Sequence, residues 1–238
     1  MKSPAETAAA IEEAVDTAVD KVVRLYTRHE DIADAVVHVL GIVFAINASL
    51  WLLLHVTGLA AGPSAKSSVV VSVTIYCVGL LAMIGFSAAY NLMPHHRPSK
   101  AWLRRLDHAA IFIMIAGTYT PLAVNRLAAP YGAIILALIW IAATIGIVLK
   151  ILFPLRFERT SLALYLGMGW LIVTVIVPLA HSMAVFDFWL LAAGGLVYSG
   201  GVAFYVIERI PYHKAIWHAA VLAAAMLQFG AIALEFMH

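Results

Sequence analysis

The chain has 238 residues, of which 63% are hydrophobic and only 12% charged, with a mean hydropathy of +0.94. A soluble domain carries about 25% charged residues, so this composition excludes a water-soluble globule and implies an integral membrane protein. The formal net charge of +2 gives no reason to expect a nucleic-acid partner, because membrane topology already accounts for the basic residues.

Residues 1–33 mix acids and bases and lack the continuous apolar core of a signal peptide. Ile11, Ala14, Val15, Ala18, Val22 and Leu25 recur at helical spacing, which predicts an amphipathic helix lying on the membrane or on the rest of the protein. Seven apolar runs follow, at 34–57, 68–91, 108–125, 131–150, 161–182, 188–207 and 214–236. Most approach the roughly 20 residues that cross a bilayer as a helix. The expected fold is all-α: an N-terminal segment, 1–33, and a polytopic seven-helix membrane domain, 34–238, with no separate soluble domain.

The basic residues alternate in the connections. Lys2, Lys21, Arg24 and Arg28 precede the first run; Arg97, Lys100, Arg104 and Arg105 lie between the second and third. Lys150, Arg156 and Arg159 lie between the fourth and fifth, and Arg209 and Lys214 between the sixth and seventh, leaving Lys66 and Arg126 for the other side. The positive-inside tendency then places the N-terminus in the cytoplasm and the C-terminus outside. Cys77, the single cysteine, has no partner for an intramolecular disulfide. Gly117, Gly146, Gly167, Gly169 and the glycines from Gly194 to Gly201 read as points of close contact between membrane helices.

Polar residues at the ends of the runs carry the functional signal, because a bilayer tolerates few of them. The second run ends GFSAAYNLMPHHRP. Ser87 and Asn91 share a helical face there, with His95 one turn further if the helix continues past Pro94. The third begins RRLDHAAIFIMIAGTYTP, with Asp107 placed to accept hydrogen bonds from Arg104 or Arg105, or to approach a metal through a water. His108 reads as a surface or interhelical hydrogen-bond partner. The hydroxyls of Thr118, Tyr119 and Thr120 are expected to satisfy backbone carbonyls or reach another helix. The seventh begins PYHKAIWHAAVL, where Lys214 and His218 share a face while His213 and His218 point about 140° apart around an ideal helix. His38, early in the first run, either packs at a helix interface or joins the same cluster, whereas His181, Asp187 and Glu235 read as markers of helix ends at the opposite face. Ser87, Asn91, Asp107, Lys214 and His218 all fall at one depth, the cytoplasmic ends of their runs, so a single polar site can draw on all of them.

Along nearly its whole length the chain resembles the hemolysin III family, within the superfamily of progestin and adiponectin receptors and alkaline ceramidases. The resemblance lies in EDIADAVVHVLG (30–41), SAAYN (87–91), RRLDHAAIFIMIAGTYTP (104–121) and AIWH (215–218). It implies a seven-helix bundle of the bacterial cytoplasmic (inner) membrane. It also implies a zinc site near the cytoplasmic side, built from Ser-x-x-x-His in the second helix, an Asp opening the third and His-x-x-x-His in the seventh, with lipid amide hydrolysis as the associated activity. Ser87, Asp107 and His218 match that pattern; Asn91 and Lys214 stand where it has histidines. An amide oxygen is a weak zinc ligand and a protonated lysine repels the ion.

Two classes of function remain open. In the first, His95, His213 and His218 hold a zinc ion displaced toward the cytoplasm, Asp107 orients or deprotonates water, Ser87 stabilises the oxyanion, and the protein hydrolyses a lipid amide or ester. In the second no metal binds; Asn91, Asp107, Lys214 and His218 form a polar network with a Lys214–Asp107 pair, in a nonenzymatic receptor, lipid sensor, transporter or structural protein. Membrane lipids are the expected partners in both.

Overall fold

The computed structural model describes residues 28–60, 63–94, 97–154 and 156–237. The amphipathic helix expected before residue 28, and His95, lie outside them. The described residues form seven helices long and apolar enough to cross a membrane: α1 (Arg28–Val56), α2 (Ser67–Leu92), α3 (Lys100–Asn125), α4 (Tyr131–Leu152), α5 (Glu158–Ser182), α6 (Val185–Val206) and α7 (His213–Met237). Consecutive helices pack side by side, and α7 returns against α1 to close the ring.

Two helices begin well before their apolar runs. α1 is already helical at Arg28, the first described residue, and α3 starts at Lys100, because RHEDIAD and KAWLRRLD carry too many charges to raise hydropathy yet keep the helical stripe of the run that follows. On α1 the buried stripe is Glu30, Asp34, His38, Gly41, Ala45, Ala48, Ser49, Leu52 and Val56. Its spacing of three and four defines one helix face, and the opposite face of Val36, Val39, Leu40, Val43, Ile46 and Leu50 is exposed, as a lipid-facing surface requires. α3 is the most enclosed span, 67% of its apolar window being buried against 11% for α6.

The hydroxyls of α3 act as the sequence predicts. Thr118 donates to the Met114 carbonyl at 2.9 Å and Thr120 to that of Ala116 at 2.7 Å, while Trp140 Nε1 on α4 donates to Thr120 Oγ1 at 3.1 Å. Tyr119 reaches further, into α5, where residues Leu171–Val175 tighten into a 3₁₀ turn. Its hydroxyl lies 2.7 Å from the Met168 carbonyl and 3.0 Å from that of Gly169, and accepts the Ile172 N–H at 2.7 Å. A side chain inserted into the i to i−4 ladder is a recognised cause of a helix break, and Pro178 removes a further backbone donor one turn on.

Charged groups tie the bundle at both ends. At the end holding most of the basic connections, here the basic end, Arg104 Nη2 pairs with Glu158 Oε1 at 2.6 Å, joining α3 to α5. Arg104 therefore serves Glu158 directly. At the opposite end Arg126 Nε lies 2.6 Å from Glu235 Oε1, and Nη2 donates to the Glu235 carbonyl at 2.8 Å. Glu235 thus links α3 and α7 rather than merely marking a helix end.

The glycines divide. A Cβ on Gly146 would land on the Phe112 ring, and one on Gly201 would lie 2.9 Å from Ala220 Cβ, so both permit helix contact. Gly167, Gly169, Gly195 and Gly200 have nothing among the described residues within 4 Å of that position, which corrects the expectation that all of them mediate close packing. Gly146→Ala should destabilise the bundle by about 1–3 kcal/mol through overpacking, because Phe112 is fully buried. Gly195→Ala should change stability by no more than about 0.5 kcal/mol. Thermal unfolding of both variants in one detergent checks the contrast.

Candidate functional site at the basic end

Asp34 and His38 lie one turn apart on the buried stripe of α1, 7% and 4% exposed. Gly41 continues that stripe, and a Cβ there would sit 3.2 Å from Ile84 on α2 and 3.7 Å from Leu222 on α7. Its small size brings α1 against both neighbours at the level of the polar residues. α7 is set in register by Glu30: the Tyr212 N–H, immediately before the helix, donates to Glu30 Oε1 at 3.0 Å. Tyr212 adopts a left-handed φ of 59°, and the carboxylate beside the new helix start complements the positive end of its dipole.

The result is a compact group. His218 Nδ1 lies 2.5 Å from Asp34 Oδ1, and Lys214 Nζ lies 3.5 Å from Asp34 Oδ2. His38 Nε2 is 3.6 Å from the same Oδ2, too far for a hydrogen bond, and is buried without a hydrogen-bond partner among the described residues. The His38 and His218 rings sit 4.5 Å apart at a tilt of 51°. One ligand-type atom each from Asp34, His38 and His218 can be chosen so that all lie within 4.8 Å of one another.

α2 and α3 supply the neighbouring wall. Ser87 is in hydrogen-bonding reach of Asp107, whose carboxylate also lies within electrostatic range of His38, Lys214 and Arg104. Asn91 Nδ2 turns back to its own helix, 2.9 Å from the Ser87 carbonyl and 3.4 Å from Ser87 Oγ. Ser87 of α2, His38 of α1 and Lys214 of α7 thus all lie within interaction range of Asp107 on α3.

Several expected residues fall elsewhere. His213 Nδ1 lies 3.2 Å from the Phe204 carbonyl oxygen on α6, so the five-residue spacing does turn it away from the His218 face, and it is outside the three-residue group. The carboxylate that meets the Lys214 ammonium is Asp34, where sequence reading expected Asp107. His108 offers its backbone carbonyl to Tyr165 on α5 at 2.8 Å, an interhelical role. A cavity of about 420 Å³ lined by Ser72, Ile75, Thr120 and Trp140 lies near the opposite end of α2 and α3, away from this chemistry.

The sequence pattern does not single out Asp34, and it leaves His38 open to two roles. The available signal was the four-residue spacing of Glu30, Asp34 and His38 in EDIADAVVHVLG, which carries the apolar stripe backward into the charged residues.

Seven apolar helices closed around an Asp/His/His group define a polytopic membrane protein with a polar site near one end of its bundle. A family model described as haemolysin-III related matches residues 26–229, and the chain belongs to that family. It is 38% identical over 200 residues to Hemolysin-3 of Bacillus cereus, covering 84% of this chain and 89% of that protein. Identity to the Hemolysin-3 homolog of Bacillus subtilis (strain 168) is 36% over 205 residues, 86% and 93% of the two chains. The monocyte to macrophage differentiation factor of Homo sapiens is 29% identical over 163 residues, 66% and 67% of the two.

The Asp34–Lys214 contact should behave as an energetic unit. In a double-mutant cycle of Asp34→Asn and Lys214→Met, read by thermal unfolding, the expected coupling is about 0.5–3 kcal/mol. Additive effects would show the two side chains to be independent.

Proposed function

We propose that the protein is a metal-dependent hydrolase of a lipid amide or ester, working at the basic end of the bundle in the bacterial inner membrane, with its N-terminus in the cytoplasm. The observation that carries the reading is the Asp34–His38–His218 group, with ligand atoms within 4.8 Å and one buried imidazole nitrogen, His38 Nε2, that has no hydrogen-bond partner among the described residues. One carboxylate and two imidazoles suit zinc in a site that keeps a position open. The donor set therefore fits a zinc ion held by Asp34, His38 and His218.

A bound zinc supplies Lewis acidity toward an acyl carbonyl and lowers the pKa of water. The chain's own residues do the rest. Asp107 would orient the attacking water, accept its proton at a carboxylate oxygen and return that proton to the leaving nitrogen or oxygen as the acyl bond breaks. The Ser87 hydroxyl, beside Asp107, turns its proton toward the carbonyl oxygen as negative charge develops there. Asn91 holds Ser87 against α2 through the contacts at 2.9 and 3.4 Å. The apolar outer faces of the helices keep the acyl chain in the bilayer while its head reaches the site between helices.

A second reading, a metal-free receptor, sensor, transporter or structural protein, draws on the Lys214 ammonium 3.5 Å from Asp34, since an internal cation already compensates the buried carboxylate. Elemental analysis of protein purified without added metal or chelator separates the two. Near-stoichiometric zinc, lost in His218→Ala, is expected for the hydrolase. Asp107→Asn should retain the zinc and lose about 10²–10⁴-fold in hydrolysis of a long-chain N-acyl amide or ester, the usual contribution of a general base. Wild-type protein with neither zinc nor zinc-dependent hydrolysis would establish the second reading.

A further inference from the structure

We propose that Lys214 is an internal competitor for the metal: its ammonium occupies the Asp34 carboxylate until the ion arrives, and its withdrawal sets the affinity of the Asp34–His38–His218 group. This rests on the metal-centred reading above. Both carboxylate oxygens are engaged without a metal, Oδ1 by His218 at 2.5 Å and Oδ2 by Lys214 at 3.5 Å. An ion binding Oδ2 at ligand distance would meet the ammonium at short range, where two cations repel with little screening by salt. The ion and the ammonium therefore exclude one another at this oxygen.

The ammonium has somewhere to go. Lys214 is the second residue of α7 and its side chain is 34% exposed, so its flexible stem can carry the charge outward to the headgroup layer while remaining packed. His38 distinguishes this arrangement from a finished ion-pair network. With Lys214 on Asp34, His38 Nε2 stays buried and without a hydrogen bond. A network built solely around the lysine leaves that nitrogen at a desolvation cost, whereas a metal gives it a ligand role. The lysine-held site therefore contains one donor more than it uses.

The test measures zinc affinity of the full-length protein in detergent by competition with a chromophoric chelator. Lys214→Met, which keeps the stem and removes the charge, should bind zinc about tenfold or more tightly than wild type, the scale set by one nearby like charge in a partly solvated site. In the wild-type chain, zinc should raise the reactivity of Lys214 toward an amine-acylating reagent severalfold, read by peptide mass spectrometry and reversed by chelation. This second measurement decides the matter if the methionine variant does not fold. Equal affinity in a folded variant, or unchanged Lys214 reactivity at saturating zinc, would overturn the competitor role while leaving the metal centre intact. Absence of zinc binding in both proteins would overturn both.

Discussion

The carboxylate of Asp34 is the constraint on which the basic end of the bundle depends. It is buried on a helix that spans the membrane, where an uncompensated charge is expensive. Two groups of α7 answer it, one on each oxygen: His218 and Lys214. They reach it because α1 and α7, first and last in the chain, lie side by side and close the ring. The polar site and the closure of the fold are therefore one arrangement, and Glu30 extends it by holding the start of α7 through the Tyr212 N–H.

The centre of the bundle meets a related demand in a different way. Between the ends, hydroxyls rather than charges answer unsatisfied backbone groups, as a medium without water requires. Tyr119 spends one hydroxyl on three backbone groups of α5, and Thr118 and Thr120 bond carbonyls of their own helix. α3 thus serves as the pillar against which a broken helix can be held, while its first turns carry Asp107 toward the polar group. Anchoring and chemistry occupy different lengths of the same helix.

The seven spans were legible because apolar length alone predicts a membrane helix. The spacing of Ser87 with Asn91 and of Lys214 with His218 was legible for a similar reason, since four residues return to the same face. The first turns of α1 and α3 were not, because Glu30, Asp31, Asp34, Arg104, Arg105 and Asp107 lower hydropathy where the helices have already begun. A boundary drawn at residue 34 put Asp34 at the edge of the bundle, although it lies one and a half turns inside α1. The partner of Lys214 was beyond reach for another reason. Periodicity fixes a face of one helix, but the choice between Asp34 and Asp107 depends on which helix α7 packs against.

That choice also gives a physical account of the two departures from the pattern the family resemblance implies. With Asn91 and Lys214 where histidines would stand, α2 contributes an amide turned back on its own helix, and α7 contributes a cation. Removing two neutral donors and adding a positive charge would leave the remaining histidine poorly matched to any metal. Asp34 reverses that balance by returning a negative charge within 3.5 Å of the lysine and an oxygen ligand beside His218, and His38 adds a nitrogen one turn further along. The Asp/His/His group that the structure gathers therefore draws on α1 and α7 rather than on α2 and α7. In that position the chain's own lysine faces the Asp34 carboxylate, while among the described residues the buried His38 Nε2 has no hydrogen-bond partner.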